Sequence, residues 1–552
     1  MKKRIYILWV TGLMIVASSC QKDILNTKID TELTPANIST DYNQLWNFGY
    51  APYTYLQNGF TALDSNLFAA ATDDAIQTAP SSSAQLFNEG SWNAYNNPDN
   101  VWTNDYAGIR AVNFFLAFSE NYRTFLALHR DTISDNQYQY SRDVQDIAWL
   151  RAEARVLRAY FYFDLSKRYE GVPLVTTVLP PDSTNIPRAS YDDIINFIVS
   201  EIDAVKDSLQ TNWSNYDVSR EGRITMGAAL ALKARTLLFA ASPLHNPGDD
   251  ITKWQEAAQA AHDVIALNQY SLDPNYQQLF TGDNTLSSPE TIWAIRLGST
   301  NTLEQENYPI GTPGGHSGVT PSQNLVSAYE YTGPSDPNNP YIHRDPRLGY
   351  TIVTNNSQWN GRTIQVWKGG SDDENNVNAS RTGYYLKKFL NDNLNLTQNE
   401  MKSRSWIIFR YAGILLDYAE AMNETYGPDN DNGWGLTARQ AINEVRFRPS
   451  VNMPPVSATD QSEMRDAIKH ERRIELAFEG HRFWDLLRWK DAATVLSQPL
   501  LGVKVNKVNN TFVYTTGTIE KRVFIAPKMY YYPIPYTEIA KSHGVLQQNP
   551  GW

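Results

Sequence analysis

The stretch Ile147-Ala-Trp-Leu-Arg-Ala-Glu-Ala-Arg-Val-Leu-Arg-Ala-Tyr-Phe-Tyr-Phe-Asp-Leu165 decides the fold class. At helical spacing it carries one apolar stripe of Ile147, Leu150, Ala154, Leu157, Phe161 and Leu165. A second stripe is Trp149, Ala152, Val156, Tyr160 and Phe163. A helix lying on a protein surface needs only one such stripe. Two stripes mean cover on two sides, as inside a stacked array of helices. The pattern predicts a helix over residues 143–169, stopped by Gly171 and Pro173.

Working outward, the same period recurs. Trp102, Tyr106, Ile109 and Leu116 line a helix ending near Phe118, which makes Trp102 a core residue. Residues 223–241 are rich in Gly and Ala, so a neighbouring helix can approach closely, and 252–267 follow as its partner. These read as antiparallel pairs of the tetratricopeptide kind, in a degenerate array without a clean 34-residue repeat. Helices resume with the stripe Tyr411, Leu415, Tyr418 and Met422, and again over 437–447. Asp460 and Glu463 form a capping-box pair before a helix striped by Met464, Ala467, Glu471, Ile474 and Phe478. That stripe puts a carboxylate in the middle of a buried face. An unpaired buried carboxylate is costly, so Glu471 is expected to be buried and paired, with Arg482 or Arg488 as partner.

Between the helices, residues 298–403 are dense in Gly, Pro, Asn, Ser and Thr. A loop-rich insert of this length usually serves function. Asn360-Gly361 signals a two-residue hairpin turn. In the strand after it Ile364 and Val366 face one way, and Thr363, Gln365 and Trp367 the other. A ligand site is therefore expected on a loop-rich face built from two stretches. One is residues 88–100, with Trp92 and Tyr95 among polar residues; the other is the insert around Tyr308, Tyr331, Trp359 and Trp367. Rings in such loops have no evident core to enter, and an exposed aromatic cluster marks a binding surface. Asn93, Asn96 and Arg362 are the expected hydroxyl partners.

The 552 residues carry a formal net charge of −11 and no basic run, which argues against nucleic acid. Among them are 15 Trp, 32 Tyr and 20 Phe, many in polar, loop-like stretches. Aromatic faces with nearby Asn, Gln, Asp and Arg suit sugar rings. The single cysteine, Cys20, rules out an internal disulfide. It follows a basic start (Lys2, Lys3, Arg4), a short apolar run over 5–17 and Ala17-Ser18-Ser19. This order is that of a bacterial lipoprotein signal, with Ala17 in place of the usual Leu three residues before the cysteine. Residues 1–19 then form the signal peptide, 20–34 a tether, and 35–552 one domain.

Five segments resemble one family in order. They are Arg151 to Leu165 with Gly171-Val-Pro-Leu-Val175; Gly222 to Leu232; Arg410 to Ala421; Glu471-Arg-Arg-Ile-Glu-Leu-Ala-Phe-Glu-Gly-His-Arg-Phe-Trp-Asp-Leu-Leu-Arg-Trp489; and Tyr532 to Ile539 with Gln548 to Trp552. Together with the lipoprotein start they resemble the SusD/RagB nutrient-binding lipoproteins. The resemblance implies a SusD-like, mostly α fold. Four tetratricopeptide-like helix pairs would carry a loop-rich ligand face with short β-hairpins, in an N-terminal part over about 35–245 and a C-terminal part over about 250–552. It also implies anchoring to the outer membrane at the cell surface. The implied partner is a SusC-like TonB-dependent β-barrel transporter, and the implied cargo is glycan, or peptide as in the RagB branch. It does not supply the ligand-binding residues. Trp484 and Trp489 lie in an apolar run and are read as core.

No pattern of catalytic chemistry stands out. There is no His-Glu-x-x-His, no Gly-x-Ser-x-Gly and no phosphate-cradling glycine loop. His262, His470 and His481 read as structural histidines. Neither metal nor cofactor is expected. Asp429-Asn-Asp-Asn-Gly433 is oxygen-rich like a calcium loop but lacks the EF-hand register, and reads as a solvated turn. Stable anchoring needs more than one acyl chain. Cys20→Ala expressed in the native host should therefore leave unanchored protein. Retention of that variant in the outer membrane would count against lipidation.

Overall fold

The computed structural model describes residues 41–552 apart from 134–136, 181–182, 184 and 283. Cys20 and the tether lie outside the described residues. The long helices, in chain order, are α1 (Tyr42–Tyr50), α2 (Trp102–Phe118), α3 (Tyr138–Tyr169), α4 (Tyr191–Asp203), α5 (Met226–Ala241), α6 (Ile251–Ala266), α7 (Tyr411–Tyr426), α8 (Ala438–Arg446) and α9 (Gln461–Glu475), followed by the short α10 (Arg482–Arg488). They pack in succession: α2 on α3, α3 on α4, α4 on α5, α5 on α6, α6 on α7, and α7 on α8 and α9. The result is the mostly helical array anticipated from the stripes.

Helix α3 shows why. Ile147, Leu150, Ala154, Leu157, Phe161 and Leu165 are fully buried, and so is Val156 of the second stripe. Tyr160 stays half-buried. The helix stops differently from expectation. Glu170 takes a left-handed conformation (φ 65°) and turns the chain. Gly171 is needed because a Cβ there would lie 2.3 Å from the Ala189 carbonyl oxygen. At α9, Asp460 accepts the N–H of Glu463 as an N-cap should, but the Glu463 carboxylate turns to Thr459, so the capping box is only half formed. A full box occurs instead at Ser190/Asp193 before α4 and at Thr437/Gln440 before α8.

Among the described residues the strands form five two-stranded ladders. β1 (Ala75–Gln77) pairs with β3 (Val319–Pro321), and β2 (Thr291–Thr300) with β8 (Lys402–Arg410). β4 (Ile352–Val353) pairs with β7 (Tyr385–Leu386), and β5 (Gln358–Trp359) with β6 (Arg362–Thr363). β9 (Leu500–Val508) and β10 (Thr511–Glu520) make a hairpin near the C-terminus. The β2–β8 ladder is the neck of the insert. Leu297 pairs with Arg404 and Thr300 with Lys402, so the chain leaves the helical array and returns to it at one place. At the β5–β6 turn Asn360 and Gly361 have φ of 48° and 72°, as a two-residue hairpin requires.

Charged side chains are buried where these parts meet. Glu471, fully buried, pairs with Arg347 and Arg446, not with Arg482 or Arg488. The expected partners were near in sequence, but Arg482 reaches Asp73 at 2.9 Å and Arg488 reaches Glu420 at 2.5 Å. One turn on, Glu475 meets Arg347 (2.9 Å), Arg410 (2.8 Å) and Arg448 (2.8 Å). Arg410 also pairs with Glu290 (2.6 Å) and Glu479 (2.7 Å), Lys388 with Glu479 (2.7 Å), and Arg347 with Asp345 (2.7 Å). Five carboxylates, Asp345, Glu290, Glu471, Glu475 and Glu479, thus face Arg347, Arg410, Arg446, Arg448 and Lys388, and Glu330 at the edge also pairs with Arg446 at 2.9 Å.

Burial alone would raise the Glu475 carboxyl, but Arg448, Arg410 and Arg347 outweigh it and hold it well below the usual carboxylate range. Asp485 is likewise held low by Arg472 and Arg488 against the effect of burial. Carboxylates with depressed folded-state values stabilise fully above their unfolded value, about 4.3 for Glu, and lose that contribution as the pH falls below it. Melting temperature should therefore drop steeply below about pH 4. Glu475→Gln leaves three buried arginines short of a partner and should cost about 3–5 kcal/mol in denaturant titration at pH 7. A variant as stable as the parent would contradict this role.

Candidate functional site

Two features of the loop regions can meet a ligand. The first is a polar cleft of about 460 Å³ where the N-terminal loops join the insert. Its walls include Asp64, Gln77, Thr78, Ser82, Glu306, His316 and Asn378. The β1–β3 ladder fixes one wall, extended by the Thr78 N–H donating to the Gly318 carbonyl at 2.8 Å. Beneath it the buried amides of Asn66 and Asn307 bond reciprocally at 3.0 and 3.1 Å, tying loop to insert. Asp64 accepts from both hydroxyls of Ser82 and Ser83 (each 2.7 Å) and from the Ser83 N–H (2.5 Å). Burial would raise its carboxyl, but those hydrogen bonds prevail and lower it. It stays ionised, whereas a general acid needs a raised value. The cleft offers hydroxyls, amides and carboxylates to a polar ligand.

The second feature is a pair of exposed rings. Asn93 accepts the N–H groups of Tyr95 (3.0 Å) and Asn96 (3.2 Å) through its side chain, and Asn93 and Asn96 form a bridge. This tight turn puts Tyr95 at its tip, 77% exposed. Its ring stacks on Tyr536, itself 48% exposed, with centroids 4.5 Å apart and planes at 29°. The Tyr536 N–H donates to the Ala94 carbonyl at 3.0 Å, so backbone as well as ring contact joins the two segments.

The predicted site residues divide. Trp92 is 1% exposed and packs among Phe87, Tyr532 and Trp552. Tyr308 and Trp359 are equally buried and meet edge to face at 5.1 Å. The Tyr308 hydroxyl donates to the Asn391 carbonyl and accepts from the Leu394 N–H. These three rings form cores under their own loops, so they are not ligand platforms. Arg362 is also corrected: Asp372, Thr312 and Ser371 take up its guanidinium. Trp367 is half-buried against Phe512 (5.1 Å) and beneath the Lys507 ammonium (4.9 Å). The hairpin supplying those residues lies far on in sequence. Tyr331 is 46% exposed, with the Arg344 guanidinium 4.2 Å from its ring centre. Asn96 is exposed, and Asn93 serves the turn.

Sequence reasoning missed Tyr536 and the cleft. Tyr536 stood in the sequence only as part of the family-like segment Tyr532 to Ile539. The cleft residues are ordinary polar types whose convergence depends on the β1–β3 pairing. The histidines are engaged: His262 stacks on Trp434, His470 contacts Glu330 at 3.3 Å, and His481 accepts from Arg235 at 2.9 Å. In the oxygen-rich turn Asp429 pairs with Arg439 at 2.6 Å, and Asp431 accepts from Gly433 and Gly435. Among the described residues no group of His, Cys, Asp and Glu is arranged to hold a metal ion.

A model of the SusD family matches residues 289–552, and one described as starch-binding associating with outer membrane matches residues 25–238. The chain belongs to the SusD/RagB family. SusD-like protein P38 of Formosa agariphila is 28% identical over 381 residues, spanning 64% of this chain and 69% of that protein. SusD-like protein P2 of the same organism is 24% identical over 435 residues, spanning 74% of this chain and 75% of that one. Among solved structures, a SusD-like carbohydrate binding protein from Bacteroides fragilis is 27% identical. It superposes with a TM-score of 0.76 over 92% of this chain and 100% of that one. A second SusD-like protein of that species, 26% identical, gives 0.78 over 96% of this chain and 100% of that one.

The division between buried and exposed rings is testable by stability alone. Trp92→Ala and Trp359→Ala should each cost about 3–5 kcal/mol, whereas Tyr95→Ala should change stability by no more than about 0.5 kcal/mol. Equal, small losses for all three would contradict the packing described.

Proposed function

We propose that this SusD/RagB protein is a cell-surface lipoprotein that binds glycan on its loop-rich face and hands it to a SusC-like TonB-dependent barrel. The observation that carries the reading is the Tyr95–Tyr536 stack: two large rings held together by backbone and left open to solvent. Rings in such a position dock the C–H faces of sugars, and nearby polar side chains hydrogen-bond the hydroxyls. The polar cleft adds a second set of hydroxyl partners. The family description of starch-binding at the outer membrane and the carbohydrate-binding relative from Bacteroides fragilis support the same ligand class.

Binding proceeds without chemistry in this proposal. A glycosidase needs an acid of raised pKa and a second carboxylate flanking the bond, and Asp64 is lowered instead. Diacylated Cys20 would anchor the protein in the outer membrane, facing outward.

Calorimetry against a panel of soluble polysaccharides and oligopeptides tests the ligand class. One polysaccharide should bind, and Tyr95→Ala and Tyr536→Ala should each weaken it by roughly tenfold with melting temperature unchanged. Aromatic contacts of about 1 kcal/mol beyond buried area account for most of that factor. Binding of oligopeptides alone, or full affinity in both variants, would overturn the proposal.

A further inference from the structure

A separate cavity of about 150 Å³ lies inside the helical part, between α3, β8 and the turn before α10. A hole of this volume holds one six-membered ring. Aromatic rings of Tyr160, Trp406 and Trp484 form much of its wall. Exposed Gln57 and half-buried Asn58, Tyr160, Lys167 and His481 line it as well, so it opens to solvent on that side.

The charged groups in the lining are already paired with one another or with neighbours. Lys167 and Arg168 hold Asp164 at 2.5 and 2.6 Å, and Arg168 also holds Asp99 at 2.8 Å. Arg235 pairs with Asp417, Glu479 with Arg410 and Lys388, and Asp485 with Arg472 and Arg488. The polar atoms left over are neutral. The Tyr160 hydroxyl has no hydrogen-bond partner among the described residues. At His481 the tautomer is fixed by chemistry: Arg235 can only donate, so Nδ1 accepts and Nε2 carries the proton. Burial and the Arg235 charge keep the imidazole neutral, its pKa well below the usual histidine range. Nε2–H is then a donor without an acceptor among the described residues. The amides of Gln57 and Asn58 add both donors and acceptors at the mouth.

Aromatic walls with neutral, two-way hydrogen-bonding groups and no unpaired charge match a neutral polyol ring, and do not match an ion or an amino acid. We infer that this cavity binds a single neutral, polyhydroxylated six-membered ring, as a free monosaccharide or as the terminal sugar of a chain. The inference does not depend on the loop face taking glycan, because no residue is shared between the two places.

The test is calorimetric titration of the full chain, solubilised in a detergent without a sugar head group. The titrants are glucose, galactose, mannose and xylose, with glycine and glutamate as controls. At least one sugar should bind saturably at one site per chain, and neither amino acid should bind. Tyr160→Phe keeps the ring and removes only an unpartnered hydroxyl, so it should fold normally and weaken binding by about tenfold. Asn58→Leu at the mouth should weaken it too, which covers the case of a misfolded Tyr160→Phe. The double variant His316→Ala/Asn378→Ala in the loop cleft should bind the sugar like the parent. Saturable binding of no sugar, binding of an amino acid instead, or unchanged affinity in Tyr160→Phe and Asn58→Leu would each overturn the inference. Loss of sugar binding only in the loop-cleft variant would assign the monosaccharide to the loop face and overturn it as well.

Discussion

Glu475 joins three arginines from three separate parts of the chain. Arg347 comes from the insert, Arg410 closes its neck, and Arg448 follows α8. The rest of the structure depends on this meeting. Arg410 is the last residue of β8 and pairs with Glu290, which stands just before β2, so one guanidinium fixes both ends of the neck. The same segment binds other parts of the chain. Arg473 and Arg482 reach Asp73 and Asp74 in the N-terminal loops, while Arg472 and Arg488 reach Asp417 and Glu420 on α7. Every charged side chain from Glu471 to Arg488 is engaged in an ion pair. Buried pairs add little net stability over a well-packed apolar core, because desolvation offsets much of the attraction. Misplacing one partner, however, is very costly. The network therefore acts against wrong registers between the insert and the helices.

That constraint separates scaffold from ligand face. The 471–489 segment is rich in Trp, Arg and Glu, the residue types of binding sites, yet Trp489 is buried and donates to Glu420 at 2.7 Å. The Asn66–Asn307 amide pair and the β1–β3 ladder carry the fixed geometry outward to the cleft. Asn93 does the same for the Tyr95 turn. Backbone and amide contacts thus hold the cleft wall and the Tyr95 turn, while ion pairs hold the interior.

Much of the helical array could be read from the chain because its signals are local. The stripes of α3 and the Asn360-Gly361 turn each lie within one short window. The alternation of Ile364 and Val366 against Thr363, Gln365 and Trp367 also matches burial. The burial of Glu471 was legible for the same reason, being a matter of period, whereas its partners Arg347 and Arg446 were not. Ring exposure was the weakest inference. Trp92 looked free because its own loop is polar, but Tyr532 and Trp552 cover it from the far end of the chain. Tyr95, three residues on, is open because a turn lifts it away. Local composition is the same for both; long-range packing decides between them.

Hydrogen exchange with and without a binding polysaccharide tests the separation of scaffold and ligand face most directly. The account predicts slowed exchange in the loops around residues 77–82, 93–96, 306–318 and 536, with α9, which carries Glu471 and Glu475, unchanged and already strongly protected. Ligand-induced protection centred on α9, with the loops unaffected, would contradict it.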